Sequence, residues 1–230
     1  MALTVINPRP IPSVRGVLFD MDGVVLDSEK LYARFWMEAC HHFGFPMTRE
    51  QALTMRSANR KVGEARLQGY FGPEADYRQI RLKRIELMDA YIDAHGVELK
   101  PGIFELMDFL NRSGIAAAIT SSSPRERIQN HLGSLGLYTR FDNICSGYEV
   151  PCGKPAPDIY LYGARELGLE PRECLAIEDS PTGIESAFRA RCIPVMVPDL
   201  DQPDKRTLSM LYAKADSLTD IISLISSKKM

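Results

Sequence analysis

The chain predicts an α/β fold: a parallel sheet with helices on both faces, interrupted early by an all-helical insertion. Three observations carry this. A short apolar run, Val17-Leu18-Phe19, stands between Gly16 and Gly23 and ends on carboxylates, the pattern of a buried strand. Helix-type periodicity then holds alone for roughly seventy residues, the length of several packed helices. From Pro101 onward helix and strand patterns alternate, which calls for parallel strands joined by crossover helices. The opening strand belongs to that later sheet. The expected division is therefore residues 1–27 and 98–230 as the core and residues 28–97 as the insertion.

Each element has a local reason. Glu29 to Phe43 carries Leu31, Phe35, Ala39 and Phe43 at helical spacing and closes on Gly44 and Pro46. Thr48-Arg49-Glu50-Gln51 is a capping-box pattern that opens a second helix. A third runs from about Asn59 to Tyr70, and a fourth from Glu74 to His95, with Ile80, Ile85, Met88 and Ile92 inward and Gly96 as its stop. Beyond Pro101 the reading is helix Gly102–Arg112, strand Ile115–Thr120, helix Pro124–Leu135, strand Asn143–Ser146 and helix Pro157–Leu167. Strand Cys174–Glu178, helix Thr182–Ala190 and a last strand Pro194–Val197 complete it.

With 230 residues and a hydrophobic fraction of 45%, the chain can bury a large core. A net charge of -2 offers no general attraction to nucleic acid or acidic membranes, so an anionic ligand needs a local site. No stretch reads as a signal peptide or membrane span, and the five cysteines form no C-x-x-C pair. A cytoplasmic protein with reduced thiols is expected, acting as a monomer or weak homodimer with no nucleic-acid or membrane partner.

In a parallel sheet the ligand sits at the carboxyl ends of the strands. Here those ends carry the polar chemistry: Asp20 and Asp22 after the first strand, Thr120-Ser121-Ser122-Ser123 after the second, Lys154 in the loop after the third, and Glu178-Asp179-Ser180 after the fourth. Asp20 and Asp22, two apart on an extended chain, leave the strand tip side by side, which a fold tolerates if one is protonated or a cation sits between them. Gly23 allows a tight turn that brings its N–H near a bound anion. Four acids, a hydroxyl cluster and one lysine at one edge suit a divalent cation and a phosphate. A superficially similar stretch, Gly147 to Lys154, is not a phosphate-binding P-loop: five residues separate its glycines, and Pro155 stands where Ser or Thr would bind magnesium.

Asp20-Met21-Asp22-Gly23-Val24, Thr120, Lys154 in Gly153-Lys154-Pro155-Ala156-Pro157-Asp158, and Glu178-Asp179-Ser180-Pro181-Thr182-Gly183 match in order the four motifs of the haloacid dehalogenase superfamily. The wording of these motifs resembles the beta-phosphoglucomutase-like phosphatase branch. The insertion looks like that superfamily's C1 helical cap and the remainder like its Rossmann-like core. The resemblance implies Asp20 as nucleophile and Asp22 as general acid and base, with Thr120 and nearby amides, Ser121 among them, on the phosphoryl oxygens. Lys154 would offset charge, and Mg2+ would be held by Asp20, the Asp22 carbonyl, Asp179 and Glu178. Haloacid dehalogenases lack the acid at Asp22, and phosphonate-cleaving relatives replace it, so both activities are disfavoured.

Specificity is expected from the insertion. At the position where beta-phosphoglucomutases carry a sugar-orienting histidine, this chain has Tyr32, which disfavours a mutase. Arg56, between two cap helices, is the other expected substrate contact; a solvated face over Arg56, Arg60 and Lys61 is the competing reading. Arg78, Arg81, Lys83 and Arg84 share their helix with Glu74, Asp76, Glu86 and Asp89 and read as a surface ion-pair face. His41 and His42 read as solvent-facing, and Trp36, Met37 and Met55 as insertion core. The expected activity is a magnesium-dependent phosphatase acting on a small phosphorylated metabolite, a sugar phosphate. A phosphomutase is the alternative, and a non-catalytic metabolite-binding protein a third reading.

Overall fold

A computed structural model describes residues 3–8, 13–55, 60–200 and 202–227. The chain divides into two compact units, residues 1–26 with 99–230, and residues 27–98.

Among the described residues the larger unit is built on seven strands: β1 (Leu3–Val5), β2 (Gly16–Phe19), β3 (Ala116–Ser121), β4 (Asn143–Ser146), β5 (Cys174–Glu178), β6 (Ile193–Met196) and β7 (Ala213–Ala215). They form one sheet in the order β1-β7-β6-β5-β2-β3-β4. All neighbouring pairs are parallel except β1 with β7. Strand β2 is wholly buried, as a continuous apolar run covered on both faces must be. The chain leaves β2 for β3 and β4 on one side and then returns to build β5 and β6 on the other. The order therefore reverses at the β2/β5 boundary, where α/β sheets open a crevice at their carboxyl ends.

The helices of this unit are α5 (Ile103–Ser113), α6 (Arg125–Ser134), α7 (Asp158–Glu166), α8 (Pro181–Arg189), α9 (Lys205–Met210) and α10 (Leu218–Ser226). Helices α7 and α8 bury Ile159, Tyr160, Ala164 and Ala187 against Leu18, Ala118 and Ala176 of the sheet. Right-handed crossovers that run one way to β3 and the other way to β5 put α5 on the opposite face, where it packs against α10.

Two strands escape the sequence pattern, and the strand at Pro194–Val197 is not the last. Strands β1 and β7 have three residues each, too few to display alternation, and β1 is a largely exposed edge. Side-chain amide bonds tie this end together: Asn7 donates to the carbonyls of Leu208 and Leu211 at 2.9 and 2.7 Å.

The smaller unit holds α1 (Glu29–His42), α2 (Arg49–Met55), α3 (Arg60–Phe71) and α4 (Tyr77–His95). The capping box is made as its residues predict: the Gln51 N–H donates to Thr48 Oγ1 at 3.3 Å and the Thr48 N–H to Gln51 Oε1 at 2.9 Å. Helix α4 starts three residues later than its periodicity suggests, because Asp76 caps it by accepting from the N–H groups of Arg78 and Gln79. Trp36, Met55, Leu67, Tyr77 and Ile80 form the core of this unit, with Met37 packed against it. Trp36 and Tyr77 stack at 5.8 Å. His41, His42 and Phe43 are exposed.

Arg84 departs from the expected surface face. It is buried at 4% exposure, with its guanidinium 4.6 Å from the Tyr32 ring centroid and 5.7 Å from that of Trp36. Its position on α4 falls one turn after Ile80 and one before Met88, on the buried stripe, and the aromatic faces of α1 receive its charge.

Candidate active site

The site is assembled by strand register. Phe19 of β2 pairs with Ile119 of β3 and Ile177 of β5. One residue further along, Asp20 therefore stands level with Thr120 on one side and Glu178 on the other, and its N–H donates to the Ile177 carbonyl at 3.0 Å. Parallel pairing thus sets three motif residues in a row across the carboxyl edge of the central strands.

After Asp20 the backbone turns back at once. Gly23 adopts a φ of 80°, and its N–H donates to the Leu26 carbonyl at 2.9 Å. The glycine supplies the turn as expected, and its N–H closes that turn instead of facing outward. Asp22, inside the turn, is half-buried.

At the end of β5, Glu178 and Asp179 are both buried. Ser180 is the N-cap of α8, accepting from the Gly183 N–H at 3.2 Å while its hydroxyl donates to Glu178 Oε2 at 3.3 Å. Pro181 takes the first helical position, where its missing N–H costs nothing. Gly183 is required by close approach: a Cβ there would fall inside the Glu178 carboxylate. The motif Glu178-Asp179-Ser180-Pro181-Thr182-Gly183 is thus a strand end, a helix cap and the space for one carboxylate.

Lys154 arrives from the loop between β4 and α7. The Lys154–Pro155 peptide is cis. The loop is fastened by the Ser186 hydroxyl donating to the Ala156 carbonyl at 2.5 Å and by the Ala156 N–H donating to the Gly153 carbonyl at 3.0 Å. The Lys154 ammonium donates to Asp20 Oδ1 at 2.5 Å and to Glu178 Oε1 at 2.6 Å. Burial opposes the charge on this lysine, yet the two carboxylates outweigh it and hold the ammonium above the ordinary lysine range. The same Glu178 oxygen accepts the Tyr160 hydroxyl at 2.5 Å.

Burial pushes the Asp20 carboxyl up from 3.8 to about 8; Lys154 opposes the rise, while Glu178 and Asp22 add to it. The set Asp20, Glu178 and Asp179 brings one carboxylate oxygen each within 4.8 Å of one another. If all three are ionised, three negative charges face the single Lys154 ammonium, leaving a net charge of two to be offset. Hard oxygen donors with that surplus fit a divalent cation such as magnesium.

Thr120 and Ser121 lie at the end of β3, both buried. The Thr120 hydroxyl donates to the Phe19 carbonyl at 3.2 Å, and the Ser121 hydroxyl accepts the Ser123 N–H at 3.1 Å. Tyr32 belongs to the helical unit, half-buried on α1 under the Arg84 guanidinium. Arg56 lies outside the described residues. Tyr160 escapes the sequence reading, which takes Gly183 only as the last residue of its motif. Tyr160 occupies an apolar helical position that reads as core, and the need for Gly183 arises from a neighbour across the helix cap.

A buried carboxylate cluster at the topological switch point of an α/β sheet marks a ligand site able to hold a cation. The comparisons with known proteins make this specific. Residues 14–191 match the family model for haloacid dehalogenase-like hydrolases, and the chain belongs to that family. It is similar to hexitol phosphatase B of Escherichia coli O157:H7, 28% identical over 220 residues that span 94% of this chain and 96% of the relative. Hexitol phosphatase A of Escherichia coli K12 is 31% identical over 209 residues, 89% of this chain and 93% of the relative. Among solved structures, CbbY from Rhodobacter sphaeroides in complex with phosphate superposes with a TM-score of 0.76 at 25% identity, covering 90% of this chain and 96% of that one. The chain is a phosphoric monoester hydrolase of that family, its curated relatives being named as phosphatases.

Proposed function

We propose that the protein is a magnesium-dependent phosphatase that hydrolyses a small sugar phosphate through a phosphorylated Asp20. The observation that carries this reading is the Lys154 ammonium standing between Asp20 and Glu178, beside Asp179. In that arrangement one carboxylate is charge-compensated and aimed at the strand edge, which is what a nucleophilic oxygen requires.

In the first half-reaction an Asp20 oxygen forms a bond to phosphorus while the bond from phosphorus to the sugar oxygen breaks, and Asp22 gives that leaving oxygen its proton. In the second, the Asp22 carboxylate takes a proton from water, the water oxygen bonds to phosphorus, and the Asp20 carboxylate is released with inorganic phosphate. Lys154 offsets the charge that gathers on the phosphoryl oxygens, and the Thr120 hydroxyl can turn from the Phe19 carbonyl to donate to one of them. Asp20, Asp179, the Asp22 carbonyl and Glu178 would hold magnesium, which when bound neutralises phosphoryl charge and favours the ionised form of Asp20. We assign substrate selection to residues 28–97, with Tyr32 and Arg56 as contacts to the sugar. The sugar class is supported by the hexitol phosphatases among the relatives.

The test is a panel of hexitol, hexose, pentose and non-sugar monophosphates, assayed for free phosphate with and without magnesium, with Asp20→Asn as control. Release confined to sugar phosphates, dependent on magnesium and absent in D20N, is the expected result. Turnover surviving D20N or tight chelation overturns the mechanism. Isomerised sugar phosphate in place of free phosphate identifies a mutase.

A further inference from the structure

We propose that Tyr160 is a positioning residue of this site: its phenol, acting through Glu178, sets where the Lys154 ammonium stands against Asp20. The kinetic consequence rests on the phosphatase reading above, whereas the structural consequence does not.

Tyr160 is fully buried on α7 among Leu18, Ala118, Ala164 and Ala176. Phenylalanine would fill that space equally well. A hydroxyl in such surroundings costs about 1–3 kcal/mol unless it finds a partner, and its acceptor is Glu178 Oε1 at 2.5 Å. That oxygen also receives Lys154 Nζ at 2.6 Å, and Lys154 Nζ in turn meets Asp20 Oδ1 at 2.5 Å. The four groups form one buried chain, phenol to carboxylate to ammonium to carboxylate. The Tyr160 ring also presents its π system to the same ammonium, with Lys154 Nζ 5.2 Å from the ring centroid.

The remaining contacts of Glu178 leave the phenol a specific task. Its other oxygen accepts the Ser180 hydroxyl, and the space left by Gly183 fixes the carboxylate against the α8 cap. Two donors, Tyr160 and Lys154, share the inward oxygen. Two donors on one carboxylate oxygen draw on the same lone-pair density, so each is held less tightly than it would be alone. Without the phenol, Glu178 attracts the ammonium undivided, and Lys154 is drawn towards Glu178 and away from Asp20. Tyr160 therefore keeps the lysine poised between the two acids.

Tyr160→Phe tests this, because it removes one oxygen and keeps the ring, the packing and the cation–π face. With the sugar phosphate of that panel that is turned over fastest, and magnesium, we expect kcat to fall at least about tenfold while KM changes by less than about twofold. The thermal midpoint should shift by no more than about 2–4 °C. A merely structural tyrosine would lower the midpoint and leave kcat in place. Crystal structures of wild type and Y160F supply a readout that needs no turnover: Lys154 Nζ should withdraw from Asp20 by about 1 Å, a displacement large enough to matter for catalysis. An unchanged kcat, or a Lys154 that superposes within about 0.5 Å, overturns the proposal. A wild type that releases no phosphate removes the phosphatase reading, and the pair of structures still decides the positioning.

Discussion

Lys154 Nζ lies 2.5 Å from Asp20 Oδ1 across a sequence separation of 134 residues. This single contact joins the tip of the central strand to the loop before α7, and it opposes the rise that burial imposes on the Asp20 carboxyl. Lys154→Met should lower kcat by about 10²–10³, the usual loss when a preorganised charge partner is removed. Magnesium binding, followed by calorimetry, should persist in K154M, since three carboxylates remain and a competing cation has gone. Loss of magnesium binding in that variant would mean that Lys154 builds the metal site instead of balancing it.

The pH dependence of stability follows from Asp20. Its folded-state value is raised from 3.8 to about 8. A raised acid binds its proton more tightly when folded, so its contribution is fully present below pH 3.8 and is lost as pH rises through about 8. Metal-free protein should therefore show a falling thermal midpoint across that window, with a flatter profile in D20N. Magnesium, which binds the ionised form, should stabilise the protein increasingly as pH rises. Equal slopes for wild type and D20N in chelator would refute the assignment.

Gly183→Ala places a methyl where the Glu178 carboxylate sits. Overpacking of this kind costs about 1–3 kcal/mol, and here the displaced group is a charged member of the site. Chemical denaturation should read a loss in that range, accompanied by a fall in kcat. Wild-type behaviour in both would show that the α8 cap can move aside.

Arg84→Ala should destabilise the helical unit, because it empties a buried position and removes a guanidinium over Tyr32 and Trp36. A loss of about 1–3 kcal/mol is expected, with a change in Trp36 fluorescence, this being the chain's one tryptophan. An unchanged midpoint and emission would return Arg84 to the surface face that its charged neighbours suggest.

Much of the architecture was legible beforehand because it is written locally. The β2 run between glycines, the Thr48 capping box and the α5 stop at Gly114 (φ 63°) depend on residues within a few positions of one another. The motif acids were legible for a related reason: a carboxylate at the end of an apolar strand has one place to go in a parallel sheet. Strands β1 and β7 were missed because a three-residue strand is defined by its partner, Leu3 by Ala215 and Val5 by Ala213, and a partner more than two hundred residues away leaves no trace in local pattern.

The sequence by itself determined the fold class, the order of the elements from β2 to β6 and the acids, hydroxyls and lysine that gather at one sheet edge, because helix and strand periodicities and chain order suffice for these. Only the tertiary structure decided which groups share atoms. Lys154 divides itself between Asp20 and Glu178, Tyr160 joins them on the same oxygen, Gly183 makes room for that carboxylate, and Arg84 turns inward to two aromatic rings. The physical reason is that hydrogen bonds and close packing act over a few ångströms in space, and sequence separation carries no record of those distances.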